Sequence, residues 1–262
     1  MKAVIRYKGG KGSGFHGHPG GKGGKGNPGG SQSIGSNLDI DNLPVETIKV
    51  MDTYISPVQI VGHLISPGTF RSVVKRFNSY PGWMQSGVKT IELRYEHGKD
   101  FMAGGTNFTE GASNTNGHIV LNDSEYYKSD EEVAYLLDHE VGHEVGIKWW
   151  ADANREEEDA YYNHPEWFEV GVIRPEYFDN FPLAIARNRF LNSWSAGEDG
   201  ISDYSKAWAK GGRWSETLAE MNRYYMQVGR NSFRDICSSE GAGTLADAYL
   251  AMVDYYESQE GK

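Results

Sequence analysis

The sequence of 262 residues contains a single cysteine, Cys237. An internal disulfide framework is therefore excluded, and the composition suits folding in a reducing compartment or a chain that needs no bridges. Basic residues are also in deficit: 26 Lys and Arg stand against 36 Asp and Glu, for a formal net charge of -10. That balance argues against a dedicated nucleic-acid binder, which carries a basic surface. Long apolar runs are missing too, and none approaches the roughly 20 residues that span a bilayer. The opening stretch from Met1 to Lys8 has too short an apolar segment for a secretory signal. The expectation is a protein of the cytosol of the producing cell, or of a particle assembled there, with neither a membrane nor a nucleic acid as partner.

What is present is unevenly distributed. From Gly9 to Gly35 the chain is dominated by Gly, with Lys and His. Such a segment cannot bury enough apolar surface to offset its ordering entropy. Residues 1–37 read as a flexible Gly/Lys/His-rich tail, with His16 and His18 as minor candidates for loose metal binding. Residues 38–262 read as a single domain, long enough for an ample core.

Within that domain, Val45 to Tyr54 suggests a helix, and Pro67 opens another through Phe70, Val73, Val74 and Phe77. Val88 to Tyr95 alternates with period two and predicts a half-buried strand. Ala103 to Phe108 is a second strand or a turn, Ser113 to Gly117 a loop, and Gly117 to Asn122 a short strand. After these come mostly helices: Pro182 to Trp194, Arg213 to Tyr225 and Thr244 to Tyr256. Residues 149–200 form an aromatic-rich insert, preceded in this reading by a helix stop near Gly146. The acidic run Glu156 to Asp159 reads as a solvated helix face, since it lacks the alternation of a calcium loop.

The densest chemistry lies in the stretch from Ser129 to His143. Ser129 and Glu132 form a capping box, S-x-x-E, at the start of a helix. Val133, Leu137 and Val141 recur every four residues and predict one apolar face. His139 and His143, also four apart, fall one turn from each other on another face, close enough to grip one ion. Glu140 follows the first His, as H-E-x-x-H requires, which puts a carboxylate beside the ion without making it a ligand. Catalytic zinc keeps three protein ligands and an open position. Glu216 and Glu220, four apart on a later helix, offer a third ligand and an acceptor for the free N–H of a ligating histidine. Spacing alone does not say which of the two binds the metal. His118 and His164 are the next candidates if neither does.

His139-Glu140-Val141-Gly142-His143 followed by Glu216-Thr217-Leu218-Ala219-Glu220 resembles the gluzincin metallopeptidases, and most closely the catalytic-domain family of anthrax lethal factor with its phage and bacterial relatives. Ser202-Asp203-Tyr204 is similar to the Ser-x-Tyr element of that family. The resemblance covers scattered motifs between about residues 85 and 225. It implies an α+β, zincin-like fold, with a small mixed sheet packed on the metal helix and a mostly helical C-terminal half. It also implies one zinc per chain, held by His139, His143 and Glu216, with Glu220 supporting a ligand from behind. The implied activity is a metalloendopeptidase acting on a protein or peptide substrate, with Glu140 as general base and Tyr204 as oxyanion donor. The strand from Gly117 to Leu121 would hold an extended substrate in register. The Gly/His pattern of the tail is similar to segments of head-morphogenesis proteins of tailed phages. That implies phage origin and association with the particle through the tail. Two other readings stand beside it: a non-catalytic head-associated protein with a vestigial zinc site, and an H-E-x-x-H regulatory protease that cleaves a repressor.

Overall fold

A computed structural model describes residues 50–55, 58–63, 67–94, 100–103, 106–109, 111–122, 129–198 and 200–260. The tail expected at residues 1–37 lies outside them, as does the glycine pair at 104–105. The chain is α+β with a small mixed sheet. Among the described residues no helix is long and apolar enough to cross a membrane. The chain divides into two compact units. The first contains the described residues within 1–80, 88–101 and 108–137, and the second those within 81–87, 102–107 and 138–262.

The first unit is built on five strands: β1 (Val50–Ile55), β2 (Val58–His63), β3 (Thr90–Arg94), β6 (Ala112–Thr115) and β7 (His118–Asn122). Their order is β1-β2-β3-β7-β6. The outer pairs are antiparallel, while β3 runs parallel to both β2 and β7. Ile60 pairs with Ile91 and Ile91 with Ile119, while Leu93 pairs with Leu121, so one face of the central strands is a continuous buried layer. A parallel pair needs a crossover, and α1 (Pro67–Asn78) supplies it between β2 and β3. Its residues Phe70, Val73, Val74 and Phe77 are buried, as the helical spacing predicts. Two short strands, β4 (Asp100–Ala103) and β5 (Thr106–Thr109), form a separate pair where the sequence suggested a strand or turn.

Two local expectations fail here. The described part of Val45 to Tyr54 is strand, not helix, because it pairs along its length with β2. The segment read as a loop at Ser113 to Gly117 is mostly β6 and its turn. Asn116 (φ 52°) and Gly117 (φ 82°) both take left-handed conformations. They make the two-residue turn of a tight hairpin, with Thr115 paired to His118. The polar Ser-Asn-Thr run hid the strand, although the Asn-Gly pair after it is the stronger signal.

The second unit is mainly helical. It contains α2 (Gly82–Gln85), the greater part of α3 (Asp130–Asn163), α4 (Pro182–Ser195), α5 (Asp203–Ala209), α6 (Trp214–Ser239) and α7 (Gly243–Glu260). Between α3 and α4 lie two 3-10 turns, Pro165–Trp167 and Pro175–Asn180, flanking the small hairpin of β8 (Phe168–Glu169) and β9 (Val172–Ile173). At its start, Ser129 Oγ accepts the Glu132 N–H at 3.2 Å, so the expected cap of α3 forms. Cys237 on α6 is buried, and burial pushes its thiol up to about 12.

The expected stop near Gly146 does not occur: α3 runs for 34 residues to Asn163, and the acidic run is its C-terminal part. Gly146 serves packing instead of termination. A Cβ there would sit 3.1 Å from Leu218 Cδ2 of α6. At Gly142 the approach is closer still, since a Cβ would meet Ala219 Cα at 2.7 Å and Asn222 Cβ at 2.8 Å. A polar tie fixes the same crossing. Asn222 Nδ2 donates to the Asp138 carbonyl at 2.7 Å, and its Oδ1 accepts from the Tyr249 hydroxyl of α7 at 2.8 Å.

These contacts generate a paired prediction. Overpacking typically costs about 1–3 kcal/mol, whereas replacing a mid-helix Gly by Ala gains up to about 1 kcal/mol of helix propensity. Gly142→Ala meets backbone that cannot move alone and should lower stability in denaturant unfolding. Gly146→Ala meets only the end of a leucine side chain and should be neutral or stabilising.

Candidate metal centre

The α3–α6 crossing faces two histidines with two glutamates. On α3 the rings of His139 and His143 stand edge to face, with centroids 5.0 Å apart. On α6, Glu216 and Glu220 project from one face, and both are fully buried. Glu216 Oε2 lies 3.3 Å from His139 Nε2 and 3.7 Å from His143 Nε2. His139, His143 and Glu216 each offer a ligand atom within 4.8 Å of the others, forming a group that can hold a metal ion.

The unsatisfied atoms fit such an ion. His139 Nε2, His143 Nε2 and Glu216 Oε1 are buried with no hydrogen-bond partner. A buried polar atom left unpaired costs roughly 1–3 kcal/mol. Both imidazole nitrogens face the Glu216 carboxylate, which is the pattern a cation would satisfy.

The other nitrogen of His139 is held from behind. Nδ1 lies 2.9 Å from Glu220 Oε1 and donates to it. That bond turns Nε2 towards Glu216 and His143. Glu220 Oε2 in turn accepts from Ser202 Oγ at 2.6 Å and from the Arg223 guanidinium at 2.6 Å. Burial pushes the Glu220 carboxyl up, but the Arg223 charge and the bonds from His139 and Ser202 outweigh it and hold the group at about 2. Glu220 is therefore ionised and committed to positioning.

The histidines diverge in character. Burial lowers His139, but the close approach of Glu216, the bond to Glu220 and the charges of Glu220 and Glu140 raise it to about 10. His143 has no comparable bond, and burial takes it down to about 4. Burial also raises Glu216, yet the two histidines and the Tyr204 bond bring it below the usual carboxylate range. Two buried carboxylates thus already favour positive charge between α3 and α6.

Tyr204 enters the group from α5. Its hydroxyl donates to Glu216 Oε2 at 3.1 Å, and its ring meets the His139 ring edge to face at 5.5 Å. Burial, then the charges of Glu216, Glu140 and Glu220, push its ionisation well above 10.0, so it remains a donor. Ser202 sets this geometry by a reciprocal cap, with Ser202 Oγ accepting the Ser205 N–H and Ser205 Oγ accepting the Ser202 N–H, each at 3.1 Å. The same Ser202 hydroxyl reaches Glu220, so one residue orients both the helix that carries Tyr204 and the carboxylate behind His139. Glu140 is buried beside the group, close enough for its charge to act on both His139 and Tyr204.

All six residues singled out in the sequence, His139, Glu140, His143, Tyr204, Glu216 and Glu220, therefore meet in this unit. The reserve candidates do not join them. His118 is exposed on β7 with Nδ1 2.8 Å from Thr90 Oγ1, and His164 is stacked on Trp167 at 4.0 Å. Sequence reasoning missed Arg223, Asn222 and the double duty of Ser202. Arg223 was within reach, since an Arg three residues after a helical Glu is a pairing position. Asn222 had no local signal, because its partners are 84 and 27 residues away. Comparison with protein-family models, with curated proteins and with solved structures finds no match for the chain.

The roles of the two glutamates separate experimentally. Glu216→Ala should abolish binding of added zinc at micromolar concentration, because two imidazoles remain. Glu220→Ala keeps all three donors and should weaken binding about 10–100-fold. Calorimetric titration of the metal-free variants reads the difference directly.

Proposed function

We propose that the chain is a zinc-dependent metalloendopeptidase of the gluzincin type, with a zincin-like arrangement of helices around its metal. The observation that carries the reading is the convergence of His139 Nε2, His143 Nε2 and Glu216 on one point, with Glu140 buried alongside. The donor set of two imidazoles and one carboxylate suits catalytic zinc, which leaves a fourth position open. Spacing supports the same metal. Ligands about 2.0–2.2 Å from a tetrahedral zinc lie roughly 3.3–3.6 Å from each other. The two histidine-to-Glu216 separations, 3.3 and 3.7 Å, fall close to that edge length.

Zinc, when bound, supplies a Lewis acid that acidifies water and polarises a peptide carbonyl. The chain's own residues do the rest. Glu140 takes the proton from the attacking water as its oxygen bonds to the carbonyl carbon. As the C–N bond breaks, Glu140 returns that proton to the leaving amine nitrogen. Tyr204, kept protonated by burial and by neighbouring carboxylates, turns its hydroxyl from Glu216 to the oxygen on which negative charge develops. Glu220, held by Ser202 and Arg223, keeps His139 in one tautomer throughout. A metal site that only braces the fold has no use for a buried base at Glu140, which favours hydrolysis over a structural role.

The test is cleavage of an unfolded protein by zinc-loaded enzyme. Glu140→Gln should bind zinc as wild type does and lose hydrolysis. Undiminished cleavage by that variant would sink the mechanism. Tyr204→Phe should also keep the metal, while turnover falls about a hundredfold or more, the usual effect of losing one oxyanion donor.

A further inference from the structure

Beyond the metal group, the second unit carries an open groove of about 730 Å³ between the C-terminal part of α3, the β8–β9 hairpin and α4. It shares no lining residue with His139, His143 or Glu216. We propose that this groove docks an extended polypeptide segment in which apolar side chains alternate with lysine or arginine.

The lining supplies the apolar half of the argument. Phe168, Ile173 and Ile185 form part of the groove, together with side chains that the fold leaves in water. Tyr162 is 82% exposed, Val172 68% and Tyr161 54%. A contiguous exposed patch of large apolar residues marks an interaction surface more often than scattered ones do. The hairpin tip extends the pattern. Val170 is 99% exposed and takes φ 51°, a conformation disfavoured for a β-branched residue. Neither burial nor turn geometry calls for valine there.

Charge supplies the other half. Residues 156–179, which run from α3 through the hairpin, hold eight acidic residues and one basic residue, Arg174. Within the lining itself the balance is nearer even. Glu157 is engaged by Arg187 at 2.8 Å, and Glu158 is exposed beside it. Arg189, also exposed, is the one basic lining residue, so the negative excess lies in the surround. An acidic surround attracts a cationic segment and repels an acidic one. The same sign argues against a second copy of this chain on the groove. A two-fold contact would set like-charged faces against each other, on a chain whose net charge is already -10. It also argues against nucleic acid. An extended peptide suits an open groove, because alternate side chains enter the apolar floor while those between them face outward to Glu158 and the acidic surround.

The inference goes beyond the peptidase reading and stands without it. A segment docked here is a substrate if the chain hydrolyses peptides, and a binding partner if it does not. The test therefore uses full-length Glu140→Gln protein without metal. Fluorescence anisotropy is read with two labelled short peptides that share alternating Leu and Phe, one with Lys between them and the other with Glu. The lysine peptide should bind saturably and weaken with added salt, and the glutamate peptide should not bind. Tyr162→Ser, Val172→Ser and Glu158→Lys alter exposed positions, so their thermal unfolding and zinc uptake should match the parent while lysine-peptide affinity falls roughly tenfold each. Equal binding of both peptides, no saturable binding, or unchanged affinity in the three variants would overturn the proposal. So would concentration-dependent self-association in ultracentrifugation that these variants abolish, which would assign the face to a second copy.

Discussion

Between Gly142 of α3 and Ala219 of α6 there is no room for even one more methyl group, and the metal group depends on that closeness. Histidine and glutamate side chains are short. Two helices held apart by ordinary side chains, at axes about 8–10 Å apart, would strain to bring an imidazole nitrogen and a carboxylate oxygen to a common ion. Glycine in a helix interior costs about 1 kcal/mol relative to alanine, and α3 carries two of them one turn apart. Their benefit lies in the approach they allow. Asn222 then locks the crossing through one backbone carbonyl and one tyrosine hydroxyl, so the helices neither slide nor separate without leaving buried polar atoms unpaired.

The second constraint is electrostatic. Glu140, Glu216 and Glu220 are all buried within a few turns of helix, an arrangement that would be strongly unfavourable without compensation. Two of them meet different answers. Glu220 is neutralised by Arg223 and anchored by Ser202 and His139. Glu216 faces both histidines and accepts from Tyr204. Glu140 adds its charge where His139 and Tyr204 lie. The network concentrates negative charge around the histidine pair, which leaves the group able to hold a cation and leaves Tyr204 with its proton. Stability is given up locally for this, and the surrounding helices, with Trp149, Phe190, Tyr249 and Phe233 fully buried, supply the compensating apolar core.

The same helix serves both ends of the second unit. Val141, Val145, Trp149, Ala153 and Ala160 continue one buried stripe well past the histidines. Trp149 Nε1 donates to the Leu183 carbonyl, and Arg187 of α4 reaches back to Asn154 and Glu157. The aromatic insert is therefore an extension of the metal helix and its partner α4. An unbroken α3 gives the groove and the metal group a common rigid element.

Much of this was legible in the chain itself. The H-E-x-x-H spacing sets two imidazoles on one helix face in any context, because side chains four apart lie one turn from each other. The same rule paired Glu216 with Glu220, and S-x-x-E fixed where α3 begins. Period-two alternation found β3, and the Pro67 start with its apolar stripe found α1. What stayed hidden was whatever depends on partners far along the chain. Gly146 looked like a terminator because local propensity cannot see Leu218 waiting for the space. The helical reading of Val45 to Tyr54 failed at its described end because strand pairing with β2 overrides weak local preference. Arg223, Asn222 and Ser202 gained their roles only when α3, α5 and α6 came together. Sequence determined which groups were available and which neighbours along a helix they shared. Tertiary structure decided which glutamate faces the metal group and which stands behind it, because that depends on how two helices cross, and the crossing is set by close packing between residues distant in the chain.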